Sequence, residues 1–84
     1  MTFKKGLITQ NMAGSVVLID PEHTDVIVKL NETSARIFEL LHTCVDVKEA
    51  AAALLAEYDI TEEKALHDVC AIKDRLIELG LAAE

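Results

Sequence analysis

The sequence has no tryptophan, one tyrosine, two phenylalanines, one proline and three glycines. So few glycines, all isolated, leave no Gly-rich loop to cradle a phosphate. The N-terminal Met1-Thr2-Phe3-Lys4-Lys5-Gly6 lacks an apolar segment behind its lysines, so it does not read as a secretory signal. No apolar run approaches the roughly 20 residues that span a bilayer. Cysteine is limited to Cys44 and Cys70, too few for a disulfide framework. Both are expected as buried or half-buried free thiols in a reducing cytoplasm. Positive charge is also scarce: 8 Lys and Arg stand against 15 Asp and Glu, a formal charge of −7. That balance excludes a phosphate-clamping surface of clustered bases and disfavours an anionic membrane.

What is present is a short apolar chain. It has 84 residues, 51% hydrophobic and 27% charged. Disorder is excluded by that hydrophobic content, and the length fits one domain, taken as residues 1–84. A domain this small buries only about 60–65% of its unfolded surface, so its margin of stability is thin.

The chain divides by periodicity. Residues 7–30 hold three β-prone runs, Leu7-Ile8-Thr9-Gln10, Val16-Val17-Leu18-Ile19 and Val26-Ile27-Val28-Lys29-Leu30. A turn at Met12-Ala13-Gly14-Ser15 separates the first two, and a loop around Pro21 the last two. In the third run Val26, Val28 and Leu30 alternate with Ile27 and Lys29, giving one strongly apolar face. Three short strands with tight connections predict an antiparallel meander, which needs cover on one face.

Residues 32–79 change to helical spacing. Asn31 is a good N-cap, with Ser34, Ile37, Phe38 and Leu41 on one stripe behind it. Asp46-x-x-Glu49 resembles a capping box and opens a second helix carrying Val47, Ala50, Ala51, Leu54, Leu55 and Tyr58. Thr61 caps a third, with Ala65, Val69, Ile72, Leu76 and Leu79 as its inner stripe. Gly80 stands where a left-handed C′ residue is wanted, with Leu81 as its apolar partner. Strands before helices predict an α+β fold, winged-helix-like, with a three-stranded antiparallel sheet followed by a three-helix bundle.

Candidate chemistry is sparse. His23, His42 and His67 lie in different elements without zinc spacing, so no metal site is expected. His67 and Cys70 fall three apart on one helix, which reads as an exposed histidine beside a buried cysteine. Glu62, Glu63, Asp68, Asp74 and Glu78 spread around the third helix as solvated charge, not as a paired acid and base. Neither an enzyme nor a cofactor is expected. An acyl carrier needs a serine after an aspartate at a helix start, and Ser15 and Ser34 do not provide it. A DNA-reading helix is disfavoured, because Lys64, Lys73 and Arg75 are outnumbered by acids. What is left is the third run as a sheet edge, whose free N–H and C=O groups can accept a peptide strand, or the edge of a second copy.

The stretch Leu30-Asn31-Glu32-Thr33-Ser34-Ala35-Arg36-Ile37-Phe38-Glu39-Leu40-Leu41 resembles the signature of PqqD-like proteins, the recognition elements of ribosomally made, modified peptide pathways. The resemblance continues through Tyr58-Asp59-Ile60, Glu62-Glu63, Asp68-Val69, Leu76 and Gly80-Leu81, over roughly residues 15 to 81. It implies a cytoplasmic chaperone-like module, not a catalyst. Such a module binds the leader of a precursor peptide by strand addition and presents it to a modifying enzyme. That enzyme is a radical SAM enzyme, or a leader protease and cyclase. By position, the docking strand would be Asp25, Val26, Ile27, Val28, Lys29 and Leu30. The facing helix surface would be Leu66, Val69, Cys70, Lys73 and Ile77. Phe38 stands where the family often has tryptophan, and Lys73 where many members are apolar. Val26-Ile27-Val28 replaces aromatics common before the signature, which implies a shallower groove or a different leader anchor. The alternative is a winged-helix protein-interaction or transcription-factor subunit.

Overall fold

The computed structural model describes residues 2–83, and for Thr24, Asp25 and Val26 the backbone alone. Element order is β1 (Thr2–Phe3), β2 (Ile8–Met12), β3 (Ser15–Asp20), β4 (His23–Asn31), α1 (Glu32–Thr43), α2 (Val47–Glu57), α3 (Glu62–Glu78) and β5 (Ala82–Ala83). The central sheet is antiparallel in the order β2-β3-β4, the expected meander. Its first hairpin turns at Ala13-Gly14, with Met12 paired to Ser15 and Gly14 at φ 74°, a value that favours glycine.

Strand alternation decides where the helices sit. Leu18, Val28 and Leu30 point inward and are almost fully buried, whereas Ile27 stays 60% exposed. α1 packs directly on that inner face, and α2 and α3 pack against α1 and each other to close the core. Ile37, Phe38, Leu40 and Leu41 from α1, Leu54 from α2, and Val69 and Leu76 from α3 complete one core. Burying each large side chain contributes about 1.5–3 kcal/mol.

The helix ends follow the sequence signals. Asn31, Asp46 and Thr61 each accept a hydrogen bond from the backbone N–H three residues on, at 2.8, 2.8 and 3.1 Å. After α3 the Gly80 N–H bonds the Ile77 carbonyl and the Leu81 N–H the Leu76 carbonyl, with Gly80 at φ 76°. These are the paired bonds of a Schellman cap, and Leu81 folds back into the core as expected.

Two expectations are corrected. Cys70 is exposed, not buried or half-buried, because it lies on the outer side of α3; Cys44 is half-buried and both thiols are free. Leu79 is not part of the inner stripe: as the C-cap of α3 it is 38% exposed.

The two-stranded sheet of β1 and β5 has no counterpart in the periodicity. Thr2 pairs with Ala83 and Phe3 with Ala82, and the Lys4 N–H bonds the Leu81 carbonyl at 2.9 Å. Phe3 stacks on His42 with centroids 3.7 Å apart, and Phe38 meets both rings edge-on. The His42 Nδ1–H donates to the Phe38 carbonyl at 2.8 Å, which fixes the ring's orientation. Lys4 continues this tie. Its ammonium lies 2.8 Å from Asp20, the one charged side chain in the buried set among the described residues, and 3.3 Å from Glu22. Asp20 also accepts from the Glu22 N–H at 2.9 Å. The Lys4 hydrogen bond holds the Asp20 carboxyl below its usual range, against the opposing effect of burial.

Candidate functional site

The central sheet has two open edges, β2 and β4. They differ in length and surroundings. β2 has five residues, all exposed, and ends beside a shallow depression that includes Asn11, Met12, Arg36 and Glu39. β4 has nine residues, and α3 comes near its C-terminal end. α1 packs against β3 and β4, whereas α3 packs chiefly against α1 and α2. A depression of about 360 Å³ opens where the C-terminal end of β4 meets α1 and α3. Asn31, Thr33, Ser34 and Ile37 form one wall, and Lys64, Asp68, Ala71 and Ile72 the other.

α3 runs back along β4. Its start meets Asn31 in that depression, and its end returns through Leu81 to Lys4, which holds Asp20 at the β3–β4 turn. The candidate groove is thus the unpaired edge of β4 together with the depression at its C-terminal end. Helical spacing continues the α3 wall from Lys64, Asp68 and Ala71 to Arg75 and Leu79. Lys64 and Asp68 pair across one turn at 3.3 Å. On the β2 side, Arg36 joins α1 to the end of α2 through a fork on Glu57, at 2.7 to 3.0 Å, and reaches Glu39 at 2.9 Å. The guanidinium holds the Glu57 carboxyl below its usual range.

On the strand side, Ile27 and Lys29 are exposed on the outer face and Val28 and Leu30 are buried on the inner one. The side chains of Asp25 and Val26 lie outside the described residues; their backbone continues the edge. On the helix side the named residues do not gather in the groove. Leu66 lines a depression against Lys48, Ala51 and Leu55 of α2. Lys73 lines another with Leu41, Cys44, Val45 and Val47. Val69 is fully buried in the core, Cys70 is exposed, and Ile77 packs half-buried against the core. Viewed down α3, the core stripe of Ala65, Val69 and Leu76 separates two flanks. Leu66, Cys70, Lys73 and Ile77 fall on the α2 flank, whereas Lys64, Asp68, Ala71, Arg75 and Leu79 fall on the other. The sequence carries this second stripe at plain helical spacing, but nothing in it says which flank meets the sheet.

Among the described residues no cluster of three His, Cys, Asp or Glu side chains is placed to hold a metal. No helix among them is long and apolar enough to cross a membrane. What the groove offers is backbone hydrogen bonding along an edge and a half-apolar helix wall opposite it.

Comparison with known proteins agrees with this geometry. The family model of coenzyme PQQ synthesis protein D (PqqD) matches residues 15–82. Two solved structures are similar over nearly the whole chain. One is TbiB1 in complex with the TbiA(beta) leader peptide: 21% identity, a TM-score of 0.83, covering 98% of this chain and 94% of that one. The other is a lasso peptide synthetase B1 complexed with the leader peptide: 24% identity, a TM-score of 0.84, covering 98% and 95%. At these identities the likeness establishes a shared fold. No significant match was found among curated proteins.

Proposed function

The chain belongs to the PqqD family, and from that premise we propose that it binds the leader segment of a ribosomally made precursor peptide. The leader adds as a strand on β4 and packs its inward side chains against the near flank of α3. The module then presents the precursor to a modifying enzyme, of the radical SAM class or a leader protease and cyclase. The chain itself carries out no chemistry.

The observation that carries this reading is the nine-residue open edge of β4, which ends in a depression walled by α1 and α3. The fold shared with two proteins that were solved holding leader peptides supports it. The helix half of the site is reassigned to Lys64, Asp68, Ala71, Ile72, Arg75 and Leu79. In this reading Leu66 and Lys73, turned toward α2, make no leader contact.

The expected energetics suit capture and release. Each added backbone hydrogen bond contributes about 0.5–1.5 kcal/mol net. One or two apolar anchors add about 1.5–3 kcal/mol each. Ordering a flexible leader costs about 2–5 kcal/mol of this. A micromolar dissociation constant, about 8 kcal/mol, is the expected scale.

A pair of proline variants tests the mode of binding. Neighbouring strand residues point their N–H groups to opposite sides. Of Val28→Pro and Lys29→Pro, one therefore breaks the ladder to β3 and the other removes a donor on the open edge. Proline is tolerated where the N–H faces solvent. The variant that spares the ladder should stay folded and lose leader affinity, measured by fluorescence polarisation; its melting temperature should be unchanged if it is Lys29→Pro and lowered by lost core packing if it is Val28→Pro. Two folded variants that both bind leader like wild type would exclude strand addition on β4.

A further inference from the structure

The outer face of the sheet, which no helix covers, carries information about the sequence of the strand that joins it. Two cross-strand rows run toward the β4 edge. In one, Ile8 pairs with Ile19 and Ile19 with Ile27. Ile8 is 48% and Ile27 60% exposed, so this apolar row ends open at β4. In the next row Gln10 pairs with Val17 and Val17 with Lys29. Lys29 is exposed and forms no ion pair among the described residues, while Lys4, Arg36 and Lys64 are each matched to carboxylates. Each row thus stops one residue short of completion, and the missing residue belongs to the added strand.

We propose that this chain selects leaders by a two-position code on that face: an apolar side chain beside Ile27 and a carboxylate beside Lys29. The inference rests on the strand-addition reading and names the class of peptide it takes. Residues two apart in a strand share a face, so the two positions lie two apart in the leader. In an antiparallel addition the Asp or Glu precedes the apolar residue by two; in a parallel addition it follows by two. The apolar partner covers the open end of the isoleucine row. The carboxylate meets the ammonium, while the net charge of −7 disfavours carboxylates elsewhere in the segment. Directly opposed charges in a sheet stabilise it and like charges destabilise it.

The test uses the full chain and a phage-displayed library of random decapeptides, selected in parallel on wild type and on Lys29→Glu. Both positions are exposed, so folding is not at issue. Wild type should enrich Asp or Glu two positions from a Val, Ile, Leu or aromatic residue. Lys29→Glu should enrich Lys or Arg at that same offset. For synthetic peptides from the wild-type pool, changing the acid to lysine should weaken binding about two- to fivefold, and Lys29→Glu should restore it. Amide shifts locate each peptide. Peptides that perturb β4 but show the same preference in both pools would overturn the code and leave strand addition standing. Enriched peptides that leave β4 unperturbed would overturn both.

Discussion

The sheet and the helices of this domain divide its labour. Three helices contribute most of the core, and their termini are closed by caps at Asn31, Asp46 and Thr61 and by the Gly80 turn. The central sheet contributes Leu18, Val28 and Leu30 to that core and leaves one face and two edges open. A soluble domain usually blunts such edges. Here a nine-residue edge is left unpaired beside a depression. The core is concentrated in α1 to α3, and the proposed function puts recognition along β4, so substitutions in the two regions should separate the two properties.

The largest effect should come from the helical core. Leu54→Ala empties a site that is fully buried and should cost about 2–5 kcal/mol, a large part of the stability of a chain this size, read from chemical denaturation. Leader affinity should fall only in proportion to the unfolded fraction. The helix ends come next. Gly80→Ala forces a β-carbon into φ 76°, and Thr61→Ala removes a cap whose bond is 3.1 Å; each should cost about 1 kcal/mol in thermal melts. The sheet should behave oppositely. Ile27→Asp places a charge on a side chain that is 60% exposed, so stability should change by no more than about 0.5 kcal/mol while leader binding drops severalfold.

The β3–β4 turn gives a pH-dependent form of the comparison. Asp20 has a folded pKa below its ordinary 3.8, because Lys4 bonds its charged form. Its contribution is present at neutral pH and is lost as pH falls below about 3.8 through the lower folded value. Asp20→Asn should be less stable than wild type at pH 7, and the gap should narrow in acid. Lys4 is raised above its ordinary 10.5 by the same contact, so its contribution fades as pH rises past that value. A gap unchanged between pH 7 and pH 2.5 would sever the stability of the turn from this pair.

Much of this fold was legible in the sequence because its signals are local. Alternation at Val26 to Leu30 and the caps at Asn31, Asp46 and Thr61 each report a few neighbouring residues. The β1–β5 pair was not legible: two-residue strands have no period, and their pairing depends on the two ends of the chain meeting. Exposure of Cys70 was missed because a step of one residue, about 100° around the helix, carries a side chain from the buried face at Val69 to solvent. The proposed site was legible in part. Alternation and family resemblance together marked 25–30 as strand, and its backbone is one. The helix wall proposed here was not marked, because spacing around the core stripe of Ala65, Val69 and Leu76 does not say which flank meets the sheet. Only packing against α2 shows that Leu66 and Lys73 occupy the far one.

The central claim is that a leader strand joins β4 in the groove beside the near flank of α3. An amide NMR titration tests it most directly, using the labelled full chain and a synthetic leader of the precursor encoded nearest to its gene. Saturating shifts should concentrate on residues 27–31 and on Lys64, Asp68, Ala71 and Arg75, with Leu66, Lys73 and the β2 edge left unchanged. Shifts confined to β2 or to the α2 flank, or no shifts at millimolar leader, would contradict the account.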